Sequence, residues 1–551
     1  MSGYFIGVDV GTGSARAGVF DASGRMLGSA KRDIRIWREA GDVVEQSSDD
    51  IWDAVSMSVR TAVEAAAIDP GHIAGIGFDA TCSLVVLGAN GRPLPVGPSG
   101  DPSRNVIVWM DHRATEQADR INSLGVSVLD YVGGVISPEM ETPKLLWLAH
   151  HMPSTFRDAW QFLDLADFLT WRATGSLARS VCTVTCKWTY LAHESRWDES
   201  YFRGIGLGVL ADEGFRRIGV EIVPAGAPLG QGLTNEAAAD FGLRPGVAVG
   251  AGLIDAHAGG IGTVGAKGAQ GALETRMAYV FGTSACTMTT TRSPTFVRGV
   301  WGPYYSAMVP GLWLCEGGQS AAGAAIDVLA RMHPASPEAA RAAEAAGESL
   351  AGWLSRQAAL RGAPEALARL VGDIHVVPEF LGNRAPFADP HARGTIQGLS
   401  LKDDLDSLIG LYLAGLAGIG HGARQILNAQ AAAGIQTDLI VVSGGAARDR
   451  VVRQILADST GTAVAVTTSR EPVLLGSAML GAVASGCHGD LESAMGEMSE
   501  IEQVFEPQAR TRTWHKARFQ AFEILQRADR DIRAAIQQST LSESALRPEK
   551  S

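Results

Sequence analysis

The sequence has no long uninterrupted apolar run. Its most apolar helical stretch, Leu408 to Ile419, has about a dozen uncharged residues, short of the roughly 20 that a bilayer span needs. A buried helix is expected there, and no membrane partner. A secretory signal is missing too: Met1-Ser2-Gly3-Tyr4 runs straight into a short apolar strand, with no basic region or long apolar segment ahead of it. The six cysteines, Cys82, Cys182, Cys186, Cys286, Cys315 and Cys487, form no C-x-x-C pair, and no histidines cluster at zinc-ligand spacing. Cys182 and Cys186 sit in a run of Val and Thr and read as buried thiols rather than metal ligands. These absences suit a reduced, cytoplasmic setting. Positive charge is also in deficit, with a formal net charge of -12, which argues against a sequence-independent grip on nucleic acid.

The 551 residues are more than one ordinary core can organise, so two domains are expected. A hydrophobic share of 46% against 19% charged residues excludes a disordered chain. The N-terminal region reads as strands separated by turns. YFIGVDVG and ARAGVFD flank a glycine-rich turn, Ala22-Ser23-Gly24 makes a hairpin, and a second turn at Ala89-Asn90-Gly91 follows IAGIGFD and SLVVLG. Ser48 is the expected N-cap of a helix with Asp49 and Asp50 in its first turn. Strands alternating with helices indicate an α/β fold.

A similar opening recurs at MAYVFGTSACTMTTT, which suggests two domains on one plan. The division is placed at 1–268, 269–490 and a C-terminal helix and tail over 491–551, with the boundary in the Gly- and Ala-rich stretch Gly265 to Ala272. A helical insertion is expected over about 335–370, as one helix from a Ser336 N-cap with Pro337 and Glu338 to about Gly362. Phe519, Phe522, Leu525, Ile532 and Ile536 recur at helical spacing and predict an amphipathic helix packed on the body, with a frayed tail after about Leu541.

Three segments are suited to phosphate chemistry. DVGTGSARAGVFD, residues 9–21, carries glycines and small hydroxyl residues that let backbone N–H groups approach a phosphate. No Gly-Lys-Ser/Thr follows, as a Walker A loop requires, and no third glycine opens a helix, as a dinucleotide fingerprint requires. GTSACT, residues 282–287, and SGGAARD, residues 443–449 between a strand and a helix, are similar glycine-rich turns. A plain glycine-rich hairpin would look much the same as the first. The order and spacing of all three are the informative part.

With these segments in hand, the chain from about Gly3 to Gly486 resembles the FGGY carbohydrate kinases. The central likeness is VVPEFLGNRAPFADPHARGTIQGL, and the C-terminal one is GGAARDRVVRQILADSTG with REPVLLGSAMLGA. FDATCSLVV, WMDHRA, DLADFLTWRATG, CKWTY, GLIDAHAGGIG, GVWGPYYSAMVPG and EGGQSAAG are similar to the ribulokinase-like branch, in particular its D-ribulokinase and ribitol kinase group. The resemblance implies two actin-like (ribonuclease H-like) ATPase domains with an interdomain cleft, a hinge near the glycines of 259–271, and ATP and Mg²⁺ as cofactors. It implies phosphorylation of a pentulose, D-ribulose before L-ribulose, ribitol or another pentose or pentitol. A non-kinase actin-like ATPase is the rival from another class.

The resemblance also assigns residues. Asp255 matches the catalytic base, which would accept the proton of the attacking hydroxyl; a helix-capping Asp is the plain alternative. Asp9, with Asp255, would lie near Mg²⁺ through water. Thr12, Gly13 and Ser14 would lie along the phosphates, Gly282, Thr283 and Ser284 would form the opposing loop, and Gly444, Gly445 and Ala446 would take the adenosine. Lys187 and Glu316 would contact sugar oxygens, Cys82 would line the same pocket, and Trp109, Asp111 and His112 would form its wall, with ordinary core the equal alternative for Trp109. Lys187 stands between Cys186 and Trp188, where an unpaired ammonium is costly. One departure is Asp449, where many relatives carry Asn; its charge near a nucleotide calls for pairing with Arg448 or Arg450. The resemblance allows a homodimer, though no seam in the sequence marks one.

Overall fold

The computed structural model describes residues 3–40 and 42–545, apart from the side chains of residues 364–365, 446–447 and 537–545. Met1 and Ser2 of the opening run, and the tail beyond residue 545, lie outside the described residues. The chain forms two compact units. One comprises Met1–Ala278, Met288–Glu316 and Thr467–Glu502, the other Tyr279–Thr287, Gly317–Val466 and Gln503–Ser551. The units therefore interleave in sequence: Thr467–Glu502, which the sequence division put with the C-terminal region, packs into the first unit.

The first unit is built on the expected hairpin. β1 (Tyr4–Val10) and β2 (Ser14–Phe20) pair antiparallel across the glycine-rich turn, and β3 (Met26–Asp33) pairs with β2 after the turn at Gly24, whose φ is +78°. On the other side of β1 lies β4 (Ile73–Ala80), parallel to it. The short β5 (Ala248–Val249) and β6 (Leu253–Ile254) both pair parallel with β4. β1 and β4 are buried almost end to end, so YFIGVDV and IAGIGFDA read as near-continuous apolar runs.

Four helices bear on the site: α1 (Ser48–Ala66), α2 (Val181–Trp188), α3 (Asp255–Val264) and α4 (Pro472–Ala484). Strand alternation turns Ile6, Val8 and Val19 into one core cluster with Ile51, Val55 and Val59 of α1. The other face of β1 meets α4, which also packs on β4 and α3. There the contact is backbone to backbone. A Cβ at Gly7 would lie 1.8 Å from the Leu474 carbonyl oxygen, one at Gly77 2.0 Å from that of Ser477, and one at Gly476 1.9 Å from that of Ala258. Of the glycines expected to form a hinge, Gly260 and Gly262 lie inside α3. A Cβ there would stand 2.3 Å from Met308 Sδ and 2.0 Å from the Pro472 carbonyl oxygen, so their smallness serves packing.

The repeated opening forms the strands Arg276–Phe281 and Ala285–Thr291, of which Tyr279–Thr287 belongs to the second unit. Among the described residues these strands lie in a sheet ordered Trp301–Tyr305, Trp313–Gln319, Ala285–Thr291, Arg276–Phe281, Leu439–Ser443, Ala463–Thr467 and Ile501–Phe505. The helix Leu405–Ala432 contains the apolar stretch 408–419, which is buried throughout. Among the described residues no helix is long and apolar enough to cross a membrane.

Three local expectations are corrected. The N-cap of α1 is Ser47, whose Oγ accepts from the Asp50 N–H, while Ser48 is buried and exchanges hydrogen bonds with the Asn105 side chain. The single helix from Ser336 is two, Ser336–Ala345 and Leu350–Ala359, followed by Pro364–Val371. Gly347, at φ +68°, ends the first and Ser349 caps the second by accepting from the Gly352 N–H, while Ser336 lies inside the first helix after Ala335 at the cap. The C-terminal helix, Arg512–Ala545, packs through Phe519 and Phe522, whereas Ile532 and Ile536 are about 60% exposed.

That helix also buries a histidine pair. His515 Nδ1 lies 3.5 Å from Nε2 of His421 on the helix Leu405–Ala432. Burial, with Arg518 and Arg424 close by, lowers His515 to about 3, and burial and His515 hold His421 well below its usual value. Both are neutral when folded and gain a proton near pH 6.5 when unfolded, so acid favours the unfolded chain. Stability should fall as pH drops below about 6.5, by up to ~1.4 kcal/mol per pH unit for each histidine, and His515→Gln should flatten that limb in urea titrations at pH 5 and 7. Separately, Gly7→Ala should lower stability by about 1–3 kcal/mol through overpacking against α4. Gly204→Ala, in a helix where a Cβ meets nothing within 4 Å, should leave stability unchanged or slightly raised in the same assay.

Candidate functional site

Register in the first sheet gathers three carboxylates. Asp9 on β1 lies opposite Asp79 on β4, Asp79 lies opposite Leu253 on β6, and Asp255 follows two residues later as the first residue of α3. All three stand at the carboxyl ends of neighbouring parallel strands, where side chains converge on the crevice beyond a sheet. Asp255 Oδ1 accepts from the Ala256 N–H at 2.7 Å. Burial, reinforced by the charge of Asp9, pushes its carboxyl up to about 6, against the pull of that hydrogen bond, His257 and Lys187. Asp79 is pushed well above the ordinary carboxylate range by burial and by Asp9, and accepts from Ser477 Oγ of α4. Arg16, directly across the hairpin from Asp9, binds its carboxylate and reaches Glu471 at 2.8 Å. Sequence reading assigned Asp9 and Asp255 but missed Asp79, Arg16 and Ser477. The signal for Arg16 was its position in the hairpin, where counting back from the turn places it opposite Asp9.

A second group surrounds α2. Lys187 is 4% exposed, and its ammonium stands 4.6 Å above the Trp301 ring. Among the described residues it makes no hydrogen bond or ion pair. Burial alone would lower its pKa, but Cys82, Glu316, Tyr304 and Cys186 around it outweigh that and hold it well above the usual lysine value. The Tyr304 hydroxyl is buried without a hydrogen-bond partner among the described residues. Glu316 pairs with Trp301 across adjacent strands, and its Oε2 lies 3.2 Å from His257 Nε2. Burial would lower His257, but Cys182 and Glu316 on either side raise it to about 10. Cys82, just past β4, is buried, and its thiol is pushed up to about 12 by that burial. Cys82 and Glu316, quoted from distant segments, thus both interact with Lys187. His257 was missed because nothing in LIDAHAGG marks the second charge as facing the same group.

The WMDHRA segment is placed differently. Trp109 Nε1 donates to Thr12 Oγ1 at 2.9 Å, fastening this segment to the glycine-rich turn. Asp111 is fully buried and accepts from the Val44 N–H at 2.6 Å and from the Arg113 guanidinium at 2.8 and 2.7 Å. Its carboxylate is occupied by structural partners rather than presented with Lys187 and Glu316. His112 Nε2 lies 3.5 Å from Glu139, whose hydrogen bond raises the imidazole pKa. In the glycine-rich turn Gly13 is exposed and Thr12 and Ser14 are half-buried.

In the second unit, Gly282 and Thr283 are exposed and Ser284 is half-buried. Gly444 has φ +91°, and a Cβ there would lie 2.4 Å from the Phe281 carbonyl oxygen, so the segments 282–284 and 444–446 adjoin. Gly445 is exposed, and the side chain of Ala446 lies outside the described residues. Asp449 does not depend on an arginine for its place: it is the N-cap of the helix Arg450–Thr460, its Oδ1 accepting from the N–H groups of Val451 and Val452 at 2.8 and 3.1 Å.

Family models match nearly the whole chain. The N-terminal domain of the FGGY family of carbohydrate kinases matches residues 4–262, and its C-terminal domain matches residues 277–485. The chain belongs to the FGGY family of carbohydrate kinases. This FGGY kinase is 46% identical over 527 residues to an FGGY carbohydrate kinase domain-containing protein of Homo sapiens, covering 94% of this chain and 95% of that one. It is 38% identical over 514 residues to a D-ribulokinase of Saccharomyces cerevisiae, covering 88% and 72%. Among solved structures, a xylulose kinase from Rhodospirillum rubrum aligns at TM-score 0.78 with 21% identity, covering 96% and 99%, which shows the two-domain actin-like α/β fold. The kinase is an ATP-dependent phosphotransferase acting on a small sugar or sugar alcohol.

Because the Asp449 carboxylate serves as a cap, Asp449→Asn, which keeps the capping oxygen, should leave stability within about 0.5 kcal/mol of the parent, while Asp449→Ala should cost about 0.5–2 kcal/mol. Urea unfolding of the two variants checks this.

Proposed function

We propose that this kinase transfers the γ-phosphoryl group of ATP to the terminal hydroxyl of a pentulose, D-ribulose first, to give D-ribulose 5-phosphate. The observation that carries the reading is the buried Lys187 ammonium, which has no hydrogen-bond partner among the described residues and lies beside Glu316, Cys82 and Tyr304. Its N–H donors are left for a ligand oxygen to meet. Lys187 and the Tyr304 hydroxyl would meet ketose oxygens, Glu316 would accept from sugar hydroxyls, and Cys82 would bound the pocket. Asp255 is the base: with its pKa at about 6 it is ionised near neutrality yet close enough to that range to accept the proton of the attacking hydroxyl. The likeness to the D-ribulokinase of Saccharomyces cerevisiae, and to a ribulokinase of Mycolicibacterium smegmatis at 31% identity, supports a ribulose substrate.

FGGY kinases generally use ATP and Mg²⁺. The site suits a hard divalent ion, since Asp79 and Asp255 are raised by burial and by the nearby Asp9 charge, a repulsion that a cation relieves. Asp9 and Asp255 would hold it through water. When bound, magnesium neutralises phosphate charge. Thr12, Gly13 and Ser14, together with Gly282, Thr283 and Ser284, are assigned to the phosphates, and Gly444, Gly445 and Ala446 to the adenosine. Six free cysteines, with four of them buried, and the acidic charge support a reduced, cytoplasmic protein without a nucleic-acid partner. A homodimer is compatible with this reading.

Coupled ADP release with Mg-ATP across D-ribulose, L-ribulose, D-xylulose, ribitol and glycerol tests the proposal. D-Ribulose should give the highest kcat/KM. Asp255→Asn should lower kcat by about 10²–10⁴ on every substrate, and Lys187→Met should raise KM for the sugar and leave KM for ATP unchanged. Preference for L-ribulose or ribitol would overturn the substrate, and an active Asp255→Asn enzyme would overturn the base.

A further inference from the structure

Phosphoryl transfer as derived above makes no use of Cys182, Cys186 or the second nitrogen of His257. Cys182 and Cys186 are one turn apart on one face of α2, and His257 lies in the first turn of α3. All three side chains are fully buried. One ligand atom from each, two sulfurs and an imidazole nitrogen, all lie within 4.8 Å of one another. Bonds of ~2.3 Å to sulfur and ~2.0–2.1 Å to nitrogen place tetrahedral ligand atoms about 3.5–3.8 Å apart, so the cluster is the right size for one ion.

Orientation adds a second, independent observation. His257 Nδ1 faces Cys182 Sγ at 3.0 Å, while Nε2 is held by Glu316 Oε2 at 3.2 Å. A carboxylate on one ring nitrogen fixes the tautomer that leaves the other free as a metal ligand. The Ile254 N–H donates to Cys182 Sγ at 3.4 Å, a bond suited to a sulfur carrying negative charge. Net charge then selects the ion. Two thiolates and a divalent cation form a neutral unit, which a site sealed from water tolerates, whereas a monovalent ion leaves one negative charge buried.

We propose that Cys182, Cys186 and His257 form a binding site for one thiophilic divalent cation of the zinc class, with Glu316 as the carboxylate that orients His257. Binding displaces the thiol proton of Cys186 and the proton that Cys182 and His257 share across their 3.0 Å contact; both leave to solvent, and two metal–sulfur bonds and one metal–nitrogen bond form. The ion would tie α2 to α3. Lys187 follows Cys186 directly and Asp255 precedes His257 by two residues, so it would fix the two helices that carry them. The site is separate from the magnesium assigned to the nucleotide, which prefers oxygen ligands.

Elemental analysis of the purified full chain, followed by Co²⁺ titration of chelator-treated protein, tests this without reading turnover. The expected result is about one zinc per chain and, with Co²⁺, thiolate-to-cobalt charge-transfer absorption. Cys182→Ser/Cys186→Ser should lose both, while Cys487→Ser, an exposed thiol elsewhere, should keep both. A chain isolated without zinc that still gives the cobalt–thiolate band, lost in the double variant, supports the site equally. If the double variant does not fold, the parent spectrum decides alone. No cobalt–thiolate absorption in the parent, a band that survives in a folded double variant, or a Cys182–Cys186 disulfide in the isolated protein overturns the proposal.

Discussion

α4 rests on β1, β4 and α3 with backbone against backbone, and the arrangement of the first unit's reactive groups depends on that contact. Gly7, Gly77 and Gly476 permit it, because a single Cβ at any of them would stand about 2 Å from a carbonyl oxygen. Interiors packed this tightly do not deform smoothly. Ser477 is therefore held where its hydroxyl meets Asp79, and Glu471, next to the start of α4, where it meets Arg16. The carboxylates at the strand ends are spaced by β-sheet register, and Asp79 is partnered from a helix almost 400 residues further along the chain.

Charge burial is the second organising feature. The first unit encloses Asp9, Asp79, Lys187, His257 and Glu316, all under a tenth exposed. Each would be costly alone, and removing one partner of such a set leaves another stranded. The structure offsets these costs locally, with Arg16 on Asp9, Ser477 on Asp79 and His257 on Glu316. Lys187 is the exception, with an aromatic face and the Glu316 charge acting on it but no hydrogen bond among the described residues. A group left in that state within an otherwise satisfied network is where a polar ligand gains most. By contrast Asp111, equally buried, has every oxygen engaged by Arg113 and Val44, and so contributes to the scaffold.

Much of the architecture was legible because it is local. The β1–β2 hairpin, the repeated opening at 276–291 and the buried helix around 408–419 follow from apolar runs and glycine turns. Local signals also misled by small margins. Ser47 and Ser48 are chemically equivalent caps, and Asn105, distant in sequence, claims Ser48. The alanine-rich stretch after Ser336 has uniform helix propensity, yet Gly347 and Ser349 supply a stop and a start inside it. Asp449 looked like a misplaced charge near a nucleotide motif and is a helix cap, a role its neighbours Val451 and Val452 reveal only through their N–H groups.

The amino-acid sequence by itself determined the α/β class, the glycine-rich turns, the family, and Asp9, Asp255, Lys187, Glu316 and Cys82 as residues to watch, since motif chemistry is written in consecutive residues. Tertiary structure alone decided which of them meet. Parallel pairing of β1, β4 and β6 brings Asp79 between Asp9 and the segment leading to Asp255. The approach of α2 to α3 places Cys182 and Cys186 against His257, some 70 residues away in the chain. The return of residues 467–502 to the first unit gives Asp79 its hydroxyl partner. Sheet register and helix packing are set by long-range complementarity of whole surfaces, and no window of sequence contains both sides of such a contact.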